Sequence, residues 1–252
     1  MQLPAALPAS TPDPLGHTPA RRRIALVSSV YDELVEAYPA WWVDLLGEQN
    51  HVGGIESTKW LFARSGLHPG DRALDAGAFV GGAARFLASE GVRAVALDLG
   101  RDFLAAGHRM DGGASVDWVA GLTQRLPFSE DAFRSAWCMD SYIAPRELSR
   151  VLQPGGTICL CCEVPVDSRG GVEAFIEEWR ELGFDLTAHK QLSLEATQAW
   201  RAAETELVRR RPHFQERYGQ RGYIAQLDMV TDLVQAYERG ELGHGLFVFT
   251  KG

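Results

Sequence analysis

The chain has 252 residues, of which 46% are hydrophobic, and a formal net charge of −8. That length suits one α/β domain with an embellishment, and the apolar share builds a sizeable core and excludes a globally disordered chain. The acidic balance argues against a nucleic-acid partner, because phosphate binding is driven by clustered Lys and Arg.

Arginine runs at Arg21–Arg23 and Arg209–Arg211 read as solvated faces. No stretch reaches the roughly 18 apolar residues of a membrane span. No apolar run follows the first arginines as a secretory signal would require, so the expected location is cytoplasmic. Cys138, Cys159, Cys161 and Cys162 lack the spacing of a metal site and are expected as reduced, buried strand residues.

The Pro/Ala-rich segment 1–22 is expected as a disordered leader. Residues 23–66 read as an N-terminal helical lid. It has an aromatic helical stretch to Leu46, a break at Gly53-Gly54, and a second helix from Ile55 to Ser65. Strands and helices then alternate. Strands are predicted at Arg72–Asp75, Ala94–Asp98, Val116–Ala120, Ser135–Met139, Thr157–Glu163 and Phe184–His189. Helices are predicted at Ala83–Glu90, Phe103–Arg109, Arg146–Leu152 and Val172–Leu182. Alternation at this pitch implies right-handed crossovers and a doubly wound, mostly parallel sheet over residues 67–192. Residues 193–243 interrupt it with two helices, Leu194–Arg211 and Ile224–Arg239, joined by a polar link. That insertion and the N-terminal helices form a helical cap. A closing strand, Gly245–Thr250, lies within 244–252.

The informative element is Ala73-Leu74-Asp75-Ala76-Gly77-Ala78-Phe79-Val80-Gly81-Gly82. A strand ends there and a helix begins. Glycines let the backbone turn tightly and approach a ligand, and a helix N-terminus presents free N–H groups. Asp98 ends the next strand, where a carboxylate can accept both hydroxyls of an adenosine ribose. The turn lacks the G-x-G-x-x-G spacing of dinucleotide enzymes.

This turn resembles motif I of the class I S-adenosylmethionine (SAM)-dependent methyltransferases, L-D-x-G-x-G-x-G-G. Leu126-Pro127-Phe128 followed by an acidic pair and Phe133 resembles the family's L-P-F-x-D-x-x-F-D stretch. Glu147-Leu148-Ser149-Arg150-Val151-Leu152-Gln153-Pro154-Gly155-Gly156 resembles its E-x-x-R-V-L-K-P-G-G. Gly47-Glu48 through Gly53-Gly54-Ile55-Glu56-Ser57-Thr58-Lys59 is similar to the segment before motif I in phosphoethanolamine, sarcosine, glycine and tocopherol methyltransferases. Ala236–Gly240 through Phe247 is of the same type.

The resemblance implies a Rossmann-like, seven-stranded α/β fold and SAM as cofactor, with S-adenosyl-L-homocysteine (SAH) as product. It implies that Gly77, Ala78 and Gly81 face the methionine portion, and that Asp98 and Leu99 bracket the ribose and adenine. Leu122 and Thr123 would edge the adenine, Met139 would end strand four, and Tyr31 and Val52 would close the pocket from the lid. Two positions depart from the pattern. Phe79 replaces the middle glycine, so the turn must differ or the ring must point away. Leu122 replaces an acid that accepts from adenine in many relatives. Asp140 aligns with an aspartate of the phosphoethanolamine enzymes, but Ala144 stands at their histidine position.

Methyl transfer needs an unprotonated, aligned nucleophile and exclusion of water. The candidate catalytic groups are Asp140 and Tyr142, just past strand four where ligands bind in open sheets, and His51 in the lid loop. His244 reads as structural. Trp41, Trp42 and Tyr38 are candidate walls for an apolar or cationic acceptor. The expected activity is methyl transfer to a small-molecule acceptor at N, O or C. The alternatives are a quinone-type C-methyltransferase, a non-catalytic SAM-binding module, and a relic without a SAM site. The expected partner is that acceptor, with no nucleic acid and no membrane span; a homo-oligomer is left open.

Overall fold

A computed structural model describes residues 38–111, 115–166 and 171–252. Tyr31 and the segment 1–37, which holds the expected leader and part of the lid, lie outside the described residues.

Two short helices come first, α1 (Tyr38–Leu46) and α2 (Gly54–Phe62). The alternating part follows as β1 (Arg72–Ala76), α3 (Gly82–Ser89), β2 (Arg93–Asp98), α4 (Arg101–Met110), β3 (Val116–Ala120), β4 (Phe133–Met139), α5 (Pro145–Val151), β5 (Leu152–Pro165), α6 (Gly171–Glu181) and β6 (Phe184–Gln191). Three helices, α7 (Ser193–Arg209), α8 (Arg211–Tyr218) and α9 (Gln220–Glu238), precede the last strand, β7 (Leu242–Lys251). The polar link expected inside the insertion is therefore itself helical. Phe214 and Tyr218 of α8, one turn apart, are buried, while Gln215, Glu216 and Arg217 carry the polarity that hides the helix in the sequence.

The seven strands form one sheet in the order β3-β2-β1-β4-β5-β7-β6. β1 pairs in parallel with β2 and β4, β2 with β3, and β4 with β5; β7 runs antiparallel to β5 and β6. The order reverses at β1 and β4. Strand ends diverge at such a switch, and a crevice opens beyond their carboxyl ends. Because β7 is antiparallel, its first residues lie beside the last residues of β5, with His244 opposite Glu163. The crevice thus gathers groups from β1, β2 and β4 with groups from β5 and β7.

Side chains alternate across the sheet. Cys159 and Cys161 pack on the face covered by α2, α3 and α9, with Trp137, Leu246 and Val248. Leu160 and Cys162 pack on the opposite face with Phe175 and Trp179 of α6 and Phe247 and Phe249 of β7. All four cysteines are buried and free. The acid and base of the Glu147-Leu148-Ser149-Arg150 segment clamp the Leu-Pro-Phe loop. Arg150 donates to Glu147 and to the carbonyls of Leu126 and Phe128, and Glu147 accepts the Leu126 N–H at 2.8 Å. A third apolar cluster ties α1 to the insertion through Trp42, Leu207, Phe214, Tyr218 and Tyr223. Asp44 latches the same pair, accepting from Arg210 at 2.7 Å and lying 2.6 Å from His213 Nε2. Among the described residues no helix is long and apolar enough to cross a membrane.

Candidate functional site

A cavity of about 650 Å³ opens over the carboxyl ends of β1, β2 and β4 and beneath α1, α7 and α9. Its first wall is the turn after β1. Gly77, Phe79 and Gly81 all have positive φ, at 78°, 54° and 71°. Gly77 is required twice over: its φ is left-handed, and a Cβ there would lie 2.4 Å from Ser141 Cβ. The Gly77 and Ala78 N–H groups donate to the Leu97 carbonyl at 2.8 and 2.9 Å, which docks the turn on β2.

Phe79 adopts the left-handed conformation that glycine would take, and its ring meets Phe103 edge-on in the cavity wall, with centroids 5.0 Å apart. It joins Trp42 and Val80 in the apolar cluster under the helical insertion. Its N–H is then free to donate to Asp98 Oδ2 at 2.9 Å, while Gly100 N–H donates to Oδ1 at 2.8 Å. Burial pushes the Asp98 carboxyl upward, and the backbone donors of Gly100, Phe79 and Leu99 oppose that shift. A carboxylate has about four lone-pair positions, so two backbone bonds leave acceptor capacity for hydroxyls in the cavity. Beside it two large apolar side chains stand open to solvent, Leu99 (69% exposed) and Leu122 (48%). Exposed leucines facing a crevice next to a half-buried carboxylate fit an adenosine, whose base needs apolar faces and whose ribose needs an acceptor.

The far end is built around Asp140, the residue after β4. Its φ of 52° is positive, a conformation that Asp tolerates better than most side chains. Its N–H donates to the Cys161 carbonyl at 2.7 Å, and its Oδ2 accepts the Val52 N–H at 2.9 Å. Its Oδ1 lies 3.1 Å from His244 Nε2. On the other side of that ring, Nδ1 lies 2.8 Å from the Tyr237 hydroxyl, so the imidazole is held at both nitrogens. His244 is 2% exposed, whereas the Asp140 side chain keeps 25% of its surface open. Burial raises the Asp140 carboxyl, but the charge and hydrogen bond of His244 with the Val52 N–H outweigh it and hold the group below the usual carboxylate range. Glu163 from β5 completes the floor, and Trp42, Leu46, Trp200, Met229 and Leu233 form an apolar roof. Trp42 and Trp200 meet edge to face at 6.4 Å.

Of the residues expected at the site, Gly77, Asp98, Leu99, Leu122, Thr123 and Met139 line the cavity, as do Asp140, Tyr142 and Trp42. Ala78, Gly81 and Val52 shape it from behind. Gly81 lies against the Trp118 ring, and Val52 is buried with its N–H on Asp140. His51 was expected at the pocket mouth. It is instead buried, with Nε2 at 2.9 Å from both the Gly54 carbonyl and Thr58 Oγ1. Burial pushes its imidazole below the ordinary histidine range, and those bonds assign it to holding the segment that carries Val52. Sequence reasoning passed over Glu163, Trp200, Met229 and Leu233 and read His244 as structural. One signal was available: a glutamate two residues after Cys161 ends an otherwise apolar strand face.

Residues 74–160 match the family model described as "Methyltransferase domain". Demethylmenaquinone methyltransferase of Mycobacterium marinum is 34% identical over 145 residues, which is 54% of this chain and 58% of that protein. The chain thus spans little more than half the length of such curated relatives. Within residues 74–160 the chain is thus similar to methyltransferase domains. A longer match is sarcosine/dimethylglycine N-methyltransferase of Halorhodospira halochloris, 26% identical over 74% of this chain and 77% of that one. Among solved structures, Haemonchus contortus phosphoethanolamine N-methyltransferase 2, in complex with S-adenosyl-L-methionine, superposes with a TM-score of 0.73 over 86% of this chain and 57% of that one. At 19% identity that likeness speaks for the fold alone.

Proposed function

We propose that the chain transfers a methyl group from SAM to a small-molecule acceptor. One observation carries the reading: a single cavity joins the Asp98 carboxylate and its flanking leucines, at one end, to the Asp140–His244 pair under an apolar roof, at the other. SAM supplies an electrophilic methyl on a sulfonium when bound. Gly77, Asp98, Leu99, Leu122, Thr123 and Met139 would hold it, with Val52, Ala78 and Gly81 supporting the same pocket. Asp98 orients the ribose. Asp140 and His244 receive a proton from the acceptor or fix its lone pair, and Tyr142 offers a further hydroxyl. The roof excludes water from the reacting centre. The helical insertion 193–243 and the described part of the lid, residues 38–66, act together as the cap of the core 67–192 and 244–252. Four buried free thiols suit a reducing cytoplasm.

The test is calorimetric titration with SAM and SAH, followed by turnover with amines, phenols and quinols, read as SAH release. Binding of both ligands and methylation of one acceptor class is the expected result. Binding without any transfer favours a SAM-binding module, and no binding removes the reading. The demethylmenaquinone methyltransferase relatives favour one second reading, C-methylation of a quinol. A demethylated naphthoquinol in the panel separates it.

A further inference from the structure

We propose that the acceptor is an amine that carries no phosphate or carboxylate, admitted as its ammonium ion beneath Trp42 and Trp200. This deepens the methyl-transfer reading and rests on it. The cavity is lined by the carboxylates of Asp98, Asp140 and Glu163, and among the described residues no lysine or arginine lines it. Asp98 stands at the ribose end and is engaged by the Phe79 and Gly100 N–H groups. Asp140 and Glu163 stand at the acceptor end, on either side of His244, which faces Glu163 across the β5–β7 ladder.

A phosphate or carboxylate on the acceptor would enter this half-buried end with no lysine or arginine among the described residues to meet it and with His244 already paired to Asp140, and like charges repel more strongly where water is scarce. An ammonium meets the opposite situation. Two carboxylates attract it, and the tryptophans that line the roof supply aromatic surface of the kind that binds cations.

The charge that develops during reaction points the same way. A phenol or carbon acid must first become an anion next to Asp140 and Glu163. An ammonium needs only to become neutral. It gives one proton to the Asp140–His244 pair, which later passes it to solvent. The nitrogen lone pair then forms the new N–C bond as the C–S bond breaks with its electron pair left on sulfur. Positive charge moves from sulfur to nitrogen, towards the two carboxylates.

The experiment titrates the full chain, with and without SAH, with benzyltrimethylammonium, benzyl alcohol and benzyl phosphate. The expected order is cation first by about ten-fold over the alcohol, with the phosphate weakest. In Glu163→Gln the cation's advantage shrinks while SAH affinity stays the same, which shows the variant is folded. Equal or tighter binding of the alcohol or the phosphate overturns the proposal, as does failure of the cation to bind. Loss of SAH binding in the wild-type chain would instead strike the methyl-transfer reading, and the order among the three probes is still measured without SAH.

Discussion

Phe79 and Asp98 are joined by a 2.9 Å hydrogen bond from a backbone N–H to a carboxylate oxygen, across the gap between β1 and β2. The residue that departs from the glycine pattern of the turn is therefore a direct partner of the group best placed to hold a ribose. The bond forms because Phe79 takes the left-handed backbone angle and sends its ring towards Phe103.

Asp98→Ala removes the acceptor of two backbone donors and of the ribose at once. SAM affinity is expected to fall by about 1–3 kcal/mol, roughly five- to 150-fold. Asp98→Asn is expected to keep the turn's shape and lose less. Calorimetry with SAH measures both, and an unchanged dissociation constant in the alanine variant contradicts the ribose assignment.

The left-handed angle at Phe79 sets a stability order for two variants. Both Phe79→Ala and Phe79→Gly lose the packing of a buried ring. Alanine keeps a Cβ that is strained at this angle, at about 1 kcal/mol, whereas glycine is free of it. Phe79→Gly is thus expected to be the more stable of the two in urea unfolding. The reverse order would mean that the turn relaxes to negative φ once the ring is gone.

Asp75, the last acid of β1, lies in the sheet interior. Its Oδ2 accepts the Ala84 N–H at 3.1 Å, and its Oδ1 is buried without a hydrogen-bond partner. Burial pushes its carboxyl up to about 7, with the nearby Asp98 charge adding to the shift. Between the ordinary carboxylate range and that value the folded chain holds a proton that the unfolded chain has lost. Stability therefore falls as pH rises from about 4 to about 7, by up to about 4 kcal/mol if no other group compensates. Asp75→Asn is expected to flatten that part of the profile. Urea unfolding at pH 5 and pH 8 checks it: an equal pH dependence in both proteins excludes Asp75 as the source.

Local pattern carried most of the fold and only part of the site. The strands announced themselves as short apolar runs ended by glycines, and Gly77 and Asp98 are legible because both sit at strand ends defined by those runs. The α8 helix was hidden because its outward face is charged and only Phe214 and Tyr218 turn inward. His244 was undervalued for a different reason. Its partner Asp140 lies far back in the sequence, and the two meet only because β7 is inserted antiparallel between β5 and β6. No local spacing encodes that register. The burial of His51 is likewise hidden: its loop position before Gly53-Gly54 suits a candidate base at the pocket mouth, yet Thr58 on the following helix folds back over it.

Asp140 offers a test of chemistry and of folding in one substitution. Asp140→Asn keeps a side chain that tolerates positive φ and can still accept the Val52 N–H, so the turn after β4 should persist. What it removes is the charge beside His244. If the pair handles the acceptor's proton, turnover falls by about 10²- to 10⁴-fold while SAH affinity is kept. The sign of the pH effect on stability follows from a folded carboxyl held below its ordinary range. The stabilisation it supplies is complete above that range and is lost as pH falls through the lower folded value. Wild-type protein should therefore lose stability on acidification below about pH 4 more steeply than Asp140→Asn. Parallel acid-unfolding curves would mean that His244 does not stabilise the ionised carboxylate. Unaltered turnover would move the proton-handling role away from this pair.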